Sequence, residues 1–197
     1  MNAREFYEIF IQKTSQDVLI NNKTLFDVYK SSKEYTPVIM GIINEIIAEA
    51  GYNPQNEYYR IDAIGWTSHS DDMKEEATTK DIRLNPHLWD LKIAVEHENS
   101  KTDWTDEIIK LIHIKCKLKV VIGYNYFDER GPKEQEKLDF IAKWMKEIEA
   151  FTEYPREEYL IILGNGANRF SSNSTYTDMD YKGYIYNWDT NRFEEIM

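Results

Sequence analysis

Three acidic residues stand in a pattern that suits divalent-metal chemistry. Asp62 lies in a stretch rich in strand-forming residues, and Glu96 and Glu98 lie two positions apart in the next such stretch. Side chains two apart on a strand project to the same face, and pairing of the two strands brings Asp62 beside the two glutamates. Three clustered carboxylates repel one another unless a cation is bound. Oxygen ligands without clustered Cys or His favour Mg²⁺ or Mn²⁺ over zinc.

The segment 89–98, WDLKIAVEHE, predicts a strand with one apolar and one polar face. Alternation assigns to the core face Trp89, Leu91, Ile93, Val95 and His97. It assigns to a polar cleft Asp90, Lys92, Ala94, Glu96 and Glu98. The competing interpretation is a solvated strand face, since alternating charges are common on antiparallel strands. In that case Asp62 forms a salt bridge with Arg60 or faces a turn.

The elements that position these acids follow from periodicity, helix caps and turn residues. Helices are predicted at 3–13, about 15–31, Thr36 to the stop at Gly51, about 104–115 after a cap at Asp103, and from Pro132 through Ile148. Strands are predicted at 57–66, 89–98, 118–126, 158–163 and, as a late edge strand, 181–188. Residues 68–87 are predicted to form a loop or weak hairpin, and 164–180 a surface loop. This order predicts an α/β fold in which a mixed sheet is flanked by helices.

Composition favours one globular domain spanning residues 1–197. No apolar stretch approaches the length of a membrane span, and residues 1–10 mix charged and apolar types, so neither a membrane partner nor a signal peptide is expected. The single cysteine, Cys116, excludes an internal disulfide, and we expect a small core residue there and a cytoplasmic protein. The net charge of −11 argues against a general nucleic-acid coat, but a nuclease remains compatible because bound cations offset the charge at its site.

The stretch RIDAIGW…WDLKIAVEHEN…WTDEIIKL…LKVVIGY resembles the core of the PD-(D/E)XK nuclease superfamily over roughly residues 36–126. That core is a helix, a strand bearing Asp, a strand bearing Glu-x-Lys, a helix and a further strand. Asp62 matches the first acidic position and Glu96 the second, while Glu45 matches an acidic position that some members use on the preceding helix. Glu98 stands where most members have Lys, although a minority of type II restriction endonucleases carry Glu-x-Glu there.

The resemblance implies a restriction-endonuclease-like domain with the core order αβββαβ at about 36–126 and a C-terminal helix–strand extension at 131–197. It implies a metal-dependent endonuclease that hydrolyses DNA phosphodiester bonds, and a type II restriction-type homodimer is one version of it. The alternative is a catalytically inactive interaction protein on the same fold, such as a defence or phage accessory factor. The net charge and the Glu in place of Lys favour that alternative.

The resemblance also implies roles for individual residues. Asp62 and Glu96, with Glu45, would bind Mg²⁺ or Mn²⁺, and Glu98 would orient or deprotonate the attacking water. Lys110, on the helix that follows the Glu strand, is predicted to point back as a displaced positive group.

Two further features have plain structural interpretations. His97 continues the apolar face of its strand, which predicts a hydrogen-bonded core histidine rather than a metal ligand. A local basic run is either solvated surface or a phosphate-contacting patch. The run consists of Lys110, Lys115, Lys117 and Lys119.

Overall fold

A seven-stranded mixed sheet with helices on its faces forms the centre of the protein. The computed structural model describes residues 1–15, 19–20, 23–29, 31–84, 87–126, 131–153, 157–166 and 179–197. The helices are α1 Ala3–Thr14, α2 Leu25–Tyr29, α3 Ser32–Glu49, α4 Asp71–Thr79, α5 Trp104–Ile112, α6 Pro132–Met145 and α7 Glu149–Glu153. The strands are β1 Leu19–Ile20, β2 Lys23–Thr24, β3 Asn53–Tyr58, β4 Ile61–Ser68, β5 Trp89–His97, β6 Leu118–Tyr126, β7 Glu158–Gly166, β8 Lys182–Asn187 and β9 Arg192–Glu195.

The large sheet follows the chain order from β3 to β9, so that β3 and β9 are its edges. The strands β3, β4 and β5 are antiparallel, β5, β6 and β7 are parallel, and β7, β8 and β9 are again antiparallel. The strands β1 and β2 form a separate small hairpin. The predicted α/β class with a mixed sheet flanked by helices is therefore confirmed.

The sheet separates two hydrophobic cores. The first core contains residues of α1, α2 and α3 packed on side chains such as Val95 and Val120. The second contains residues of α5, α6 and α7 packed on Ala94 and Val121. Burial of β6 and β7 on both faces explains their continuous apolar runs. Within the described ranges, no helix is both long and apolar enough to cross a membrane.

The predicted strand 57–66 is instead the junction of two strands. Tyr58 pairs with Ile61, so Tyr59 and Arg60 form a two-residue hairpin turn. Both have positive φ, 48° and 66°, as a type I′ turn requires. The sequence lacks the Asn-Gly or Asp-Gly pair that is usual for this turn. The run of strand-forming residues over 57–66 therefore shows no break at the turn.

Several other predicted boundaries were wrong. The predicted helix over 15–31 contains, in its described part, the β1–β2 hairpin and the short α2. The helix predicted from Thr36 begins at Ser32, with Pro37 inside it, and ends before Gly51, whose φ of 76° suits a C-terminal glycine. The segment predicted as a loop or weak hairpin at 68–87 contains α4, a helix with little apolar periodicity in which only Ala77 is buried.

The C-terminal part differs in detail. The strand predicted at the edge, β8, is covered by β9, and β7 extends to Gly166 into the predicted loop. The rest of that loop, 167–178, lies outside the described residues. The helix predicted to about 115 ends at Ile112, and α6 ends at Met145 before Ile148.

A β-bulge changes the predicted faces of β5. Gly65 pairs with Ile93 but Trp66 pairs with Leu91, so Lys92 is the extra residue. Ile93 and Val95 pack in the first core as predicted, whereas Leu91 packs against the second. The bulge therefore reverses the face of the sheet on which the side chains before Lys92 lie. The prediction that Trp89, Leu91 and Ile93 share one face was wrong.

Candidate functional site

Asp62 and Glu96 lie beside each other on neighbouring strands. The register pairs Ala63 with Val95, so Asp62 on β4 and Glu96 on β5 occupy the next positions along the two strands. An Asp62 carboxylate oxygen accepts a 2.8 Å hydrogen bond from the backbone N–H of His97. Glu96 is only 2% exposed. The two acids thus meet near one end of the antiparallel pair, as their parity predicts.

Helix α5 adds a lysine and a third acid to this pair. The Nζ atom of Lys110 lies 2.8 Å from Oε1 of Glu96 and forms a second ion pair with Glu107. It also donates a 3.1 Å hydrogen bond to the carbonyl of Arg60 in the β3–β4 turn. We call this group of four residues the acidic site: Asp62, Glu96, Glu107 and Lys110.

Tight packing at the start of α5 fixes where its charged residues point. Trp104 is fully buried against Gly123 of β6, where a Cβ atom would stand 2.7 Å from Cγ of Trp104. Ile108 and Leu111 continue the predicted apolar stripe into the second core. Asp103 stands at the N-cap, but its carboxylate accepts from Thr102 and makes no cap hydrogen bond. Packing of the apolar stripe therefore holds α5 with Lys110 reaching Glu96.

Burial raises the pKa of two acids of this site, Glu96 and Asp62. The pKa of Glu96 is raised to about 8, first by burial and then by the charge of Asp62, against the lowering effect of Lys110. Burial also raises the pKa of Asp62, although the N–H of His97 and the charge of Lys110 lower it. Burial alone would lower the pKa of Lys110, but its hydrogen bonds with Glu107 and Glu96 raise it overall. One ammonium group thus faces three acids, which leaves the site short of positive charge.

The donor chemistry of the site fits a hard divalent cation. Within the described ranges, no three metal-ligating side chains converge on a common point. Mg²⁺ does not require such a cage, because it usually keeps several waters and takes one or two carboxylates together with substrate phosphates. Asp62 and Glu96 offer such a pair of carboxylates.

The other two predicted acids lie elsewhere. Glu98 follows the end of β5, and among the described residues its carboxylate bonds to the backbone N–H of Ser100, at 2.6 Å. Glu45 is largely exposed on α3, on the opposite side of the sheet from α5, and forms a 3.0 Å ion pair with Lys13. The structure therefore does not bring Glu45 to the acidic site, and the sheet stands between them.

His97 belongs to a buried cluster behind the acidic site. Its Nε2 lies 2.9 Å from the hydroxyl of Tyr124, and burial lowers its pKa to about 4. The Tyr124 hydroxyl is in turn 2.5 Å from that of Tyr35, which also contacts the Tyr181 hydroxyl. The prediction of a hydrogen-bonded core histidine is confirmed. His97 also connects this cluster to Asp62, because its backbone N–H donates to the Asp62 carboxylate.

Sequence reasoning missed Glu107. It lies three residues before Lys110, a spacing that places two side chains on the same helical face. Once Lys110 is assigned to the site, that spacing identifies Glu107 as its partner. The basic run was also misinterpreted in part, because Lys119 is fully buried and belongs neither to solvated surface nor to a phosphate patch.

No protein-family model matches the chain, and a search of curated proteins finds no match to it.

A pH dependence of stability follows for metal-free protein. The folded-state pKa of Glu96, about 8, exceeds its ordinary value of 4.5, so the folded state binds this proton more tightly than the unfolded state. The stability contributed by Glu96 is therefore present below about pH 4.5 and is lost as pH rises to about 8. We expect Glu96→Gln to gain stability relative to the unsubstituted protein across this window, measured by urea unfolding in EDTA. A constant difference would show that Glu96 does not hold its proton.

Proposed function

We propose that this protein is a Mg²⁺- or Mn²⁺-dependent nuclease of the PD-(D/E)XK type that hydrolyses DNA phosphodiester bonds. The observation that carries the proposal is the meeting of Asp62 and Glu96 on adjacent strands with Lys110 at 2.8 Å from Glu96. The lysine comes from α5 instead of position 98 of the strand. Two carboxylates and one lysine are thus gathered although the linear Glu-x-Lys motif is not present.

The order of elements supports the same proposal. From α3 to β6 the chain forms a helix, three antiparallel strands, a helix and a strand parallel to the third, with α4 inserted between β4 and β5. This succession of elements supports the proposal of a restriction-endonuclease-like core with the order αβββαβ.

The four groups of the acidic site have distinct roles in this proposal. Asp62 and Glu96 would hold the cation, which when bound lowers the pKa of a water molecule and offsets negative charge on the phosphate. Lys110 is 35% exposed at its side chain, so its ammonium can reach a phosphate oxygen while Glu107 holds it in place. A fifth residue outside the acidic site, Glu98, follows directly after β5 and would orient the attacking water.

One observation favours a second candidate, a non-catalytic interaction protein. Lys110 already forms ion pairs with both Glu96 and Glu107. An ion-pair network of this kind can be purely structural. The two candidates differ in their response to metal, because a structural network gains nothing from a divalent cation.

We expect Mg²⁺ or Mn²⁺ to raise the melting temperature at pH 8, because a cation that binds only the folded state stabilises it. Glu96→Gln is expected to remove most of this increase, since it removes one carboxylate ligand. The matched control is Glu45→Gln, an exposed acid on the other side of the sheet, which should respond to metal as the unsubstituted protein does. An undiminished response in Glu96→Gln would place the cation elsewhere and support the interaction protein.

A further inference from the structure

A surface pocket with aromatic walls opens next to the β3–β4 hairpin. Its volume is about 450 Å³, within the range of small-molecule sites. Residues of β3, β4, α4 and the start of β5 line it. None of the residues that line this pocket belongs to the acidic site.

Four aromatic side chains line the pocket: Tyr58, Tyr59, Trp66 and Trp89. Trp89 lies edge-to-face with both Tyr58 and Trp66, at centroid distances of 5.4 and 6.4 Å, and Tyr59 lies edge-to-face with Tyr58 at 4.7 Å. These rings are not all core residues, because Tyr59 is 83% exposed and Trp89 is 39% exposed. Clustered, partly exposed aromatic rings around a concave surface are typical of a site for a flat apolar ligand.

The polar residues of the pocket favour a ligand with hydrogen-bonding edges and negative charge. Gln55 supplies an amide and His87 an imidazole, and Lys74 of α4 supplies an ammonium. Within the described part of the chain, the ammonium of Lys74 forms no ion pair with an acid, and no residue that lines the pocket is acidic. In a chain with 35 acidic and 24 basic residues, an acid-free pocket wall that includes a lysine complements a phosphate group.

We propose that this pocket binds an unpaired nucleobase of a single-stranded nucleic acid. The base stacks against Trp89 and Tyr59, its edge faces Gln55, and the adjoining phosphate lies near Lys74. Aromatic side chains bind unpaired bases in this way with little dependence on base identity. A paired base inside a duplex does not offer its face to such a pocket.

The position of the pocket links it to the acidic site, a step that rests on the proposed nuclease function. Tyr58 and Tyr59 precede Arg60, whose carbonyl accepts the hydrogen bond from Lys110, and Asp62 follows it two residues later. Pocket wall and acidic site are therefore carried by the same hairpin. A single-stranded nucleic acid with one base in the pocket would be held beside the carboxylates of Asp62 and Glu96.

The test is binding of a fluorescein-labelled eight-nucleotide single-stranded DNA, measured by anisotropy in EDTA so that cleavage plays no part. We expect measurable binding that Trp89→Ala and Tyr59→Ala each weaken by about tenfold, in line with the loss of one base–aromatic contact. The matched control is Trp144→Ala, because Trp144 is also exposed but lies on α6. Unchanged melting temperatures show that the variants fold.

Failure of the pocket proposal and failure of the nuclease proposal are distinguishable. Binding that is sensitive to Trp89→Ala and persists in an Asp62→Asn, Glu96→Gln double variant supports the pocket even if no cleavage is ever seen. The pocket proposal is overturned if the oligonucleotide does not bind, if Trp89→Ala binds as tightly as the unsubstituted protein, or if duplex DNA of the same length competes equally well.

Discussion

Purified protein incubated with Mg²⁺ or Mn²⁺ is expected to cleave DNA, and Asp62→Asn and Glu96→Gln are each expected to abolish this cleavage. Both substitutions remove a carboxylate that would bind the cation. Both also keep the size of the side chain, and Asn at position 62 retains an oxygen to accept the hydrogen bond from the N–H of His97. Loss of activity in these variants would thus reflect lost charge and not an unsatisfied backbone group.

Two further variants separate the sources of water activation. Removal of a general acid or base typically lowers a rate by about two to four orders of magnitude. We expect Glu98→Gln to fall in this range if Glu98 orients the water, and Lys110→Ala to do so if the lysine of α5 carries that role. Glu45→Gln should retain full activity, because Glu45 pairs with Lys13 on the other side of the sheet.

The choice of substrate decides what a negative result means. Plasmid DNA, single-stranded DNA, and genomic DNA from the host and from varied phages should each be incubated with both metals. Absence of cleavage on all of them would contradict the nuclease and favour the interaction protein. Cleavage that survives Glu96→Gln would point to a contaminating enzyme.

Lys119→Met is expected to produce the largest loss of stability, about 3 kcal/mol, because breaking a buried ion pair leaves the other charge uncompensated. Lys119 is fully buried at the start of β6, where its ammonium contacts Glu157 and lies 3.2 Å from the hydroxyl of Tyr159. Methionine fills similar space but offers no charge to Glu157. Urea unfolding followed by tryptophan fluorescence measures the change in the free energy of unfolding.

Two controls define this result. Lys117→Met, two residues earlier and exposed, should change stability little. Adding Glu157→Gln to Lys119→Met should recover part of the loss, because it removes the uncompensated charge and keeps a hydrogen-bonding partner for Tyr159. A loss below about 1 kcal/mol in Lys119→Met would mean that water or rearrangement solvates Glu157.

The acidic pair could be predicted because it depends on parity alone. Residues two apart on a strand share a face, and antiparallel pairing of two strands leaves few ways to arrange Asp62 and Glu96. Lys110 could also be predicted as a candidate because it lies on the helix that follows the strand. The register between β4 and β5, which places Asp62 opposite Glu96, required the structure, because the connection between these strands contains α4 and the bulge at Lys92 shifts their pairing.

Features that depend on single backbone conformations could not be predicted. Neither Tyr59 nor Arg60 is a residue type that commonly adopts positive φ. The sequence therefore predicts one strand where the structure has a hairpin. No residue type in the sequence indicates the bulge at Lys92, although the bulge changes the face of the sheet on which the side chains of the first part of β5 lie. The burial of Lys119 was missed because its partner, Glu157, lies in a distant segment.

The edges of the large sheet bear on how two copies of this chain can associate. The edge strand β3 contains Pro54, which has no N–H to donate, and Glu57, whose φ of 55° departs from extended backbone. The other edge, β9, has only four residues and carries the ion pair between Arg192 and Asp139. Short, charged or proline-containing edges discourage strand-to-strand joining between molecules and the aggregation that follows from it. A homodimer that cuts both DNA strands would therefore have to be built on side-chain packing between helices or loops, with each sheet remaining separate.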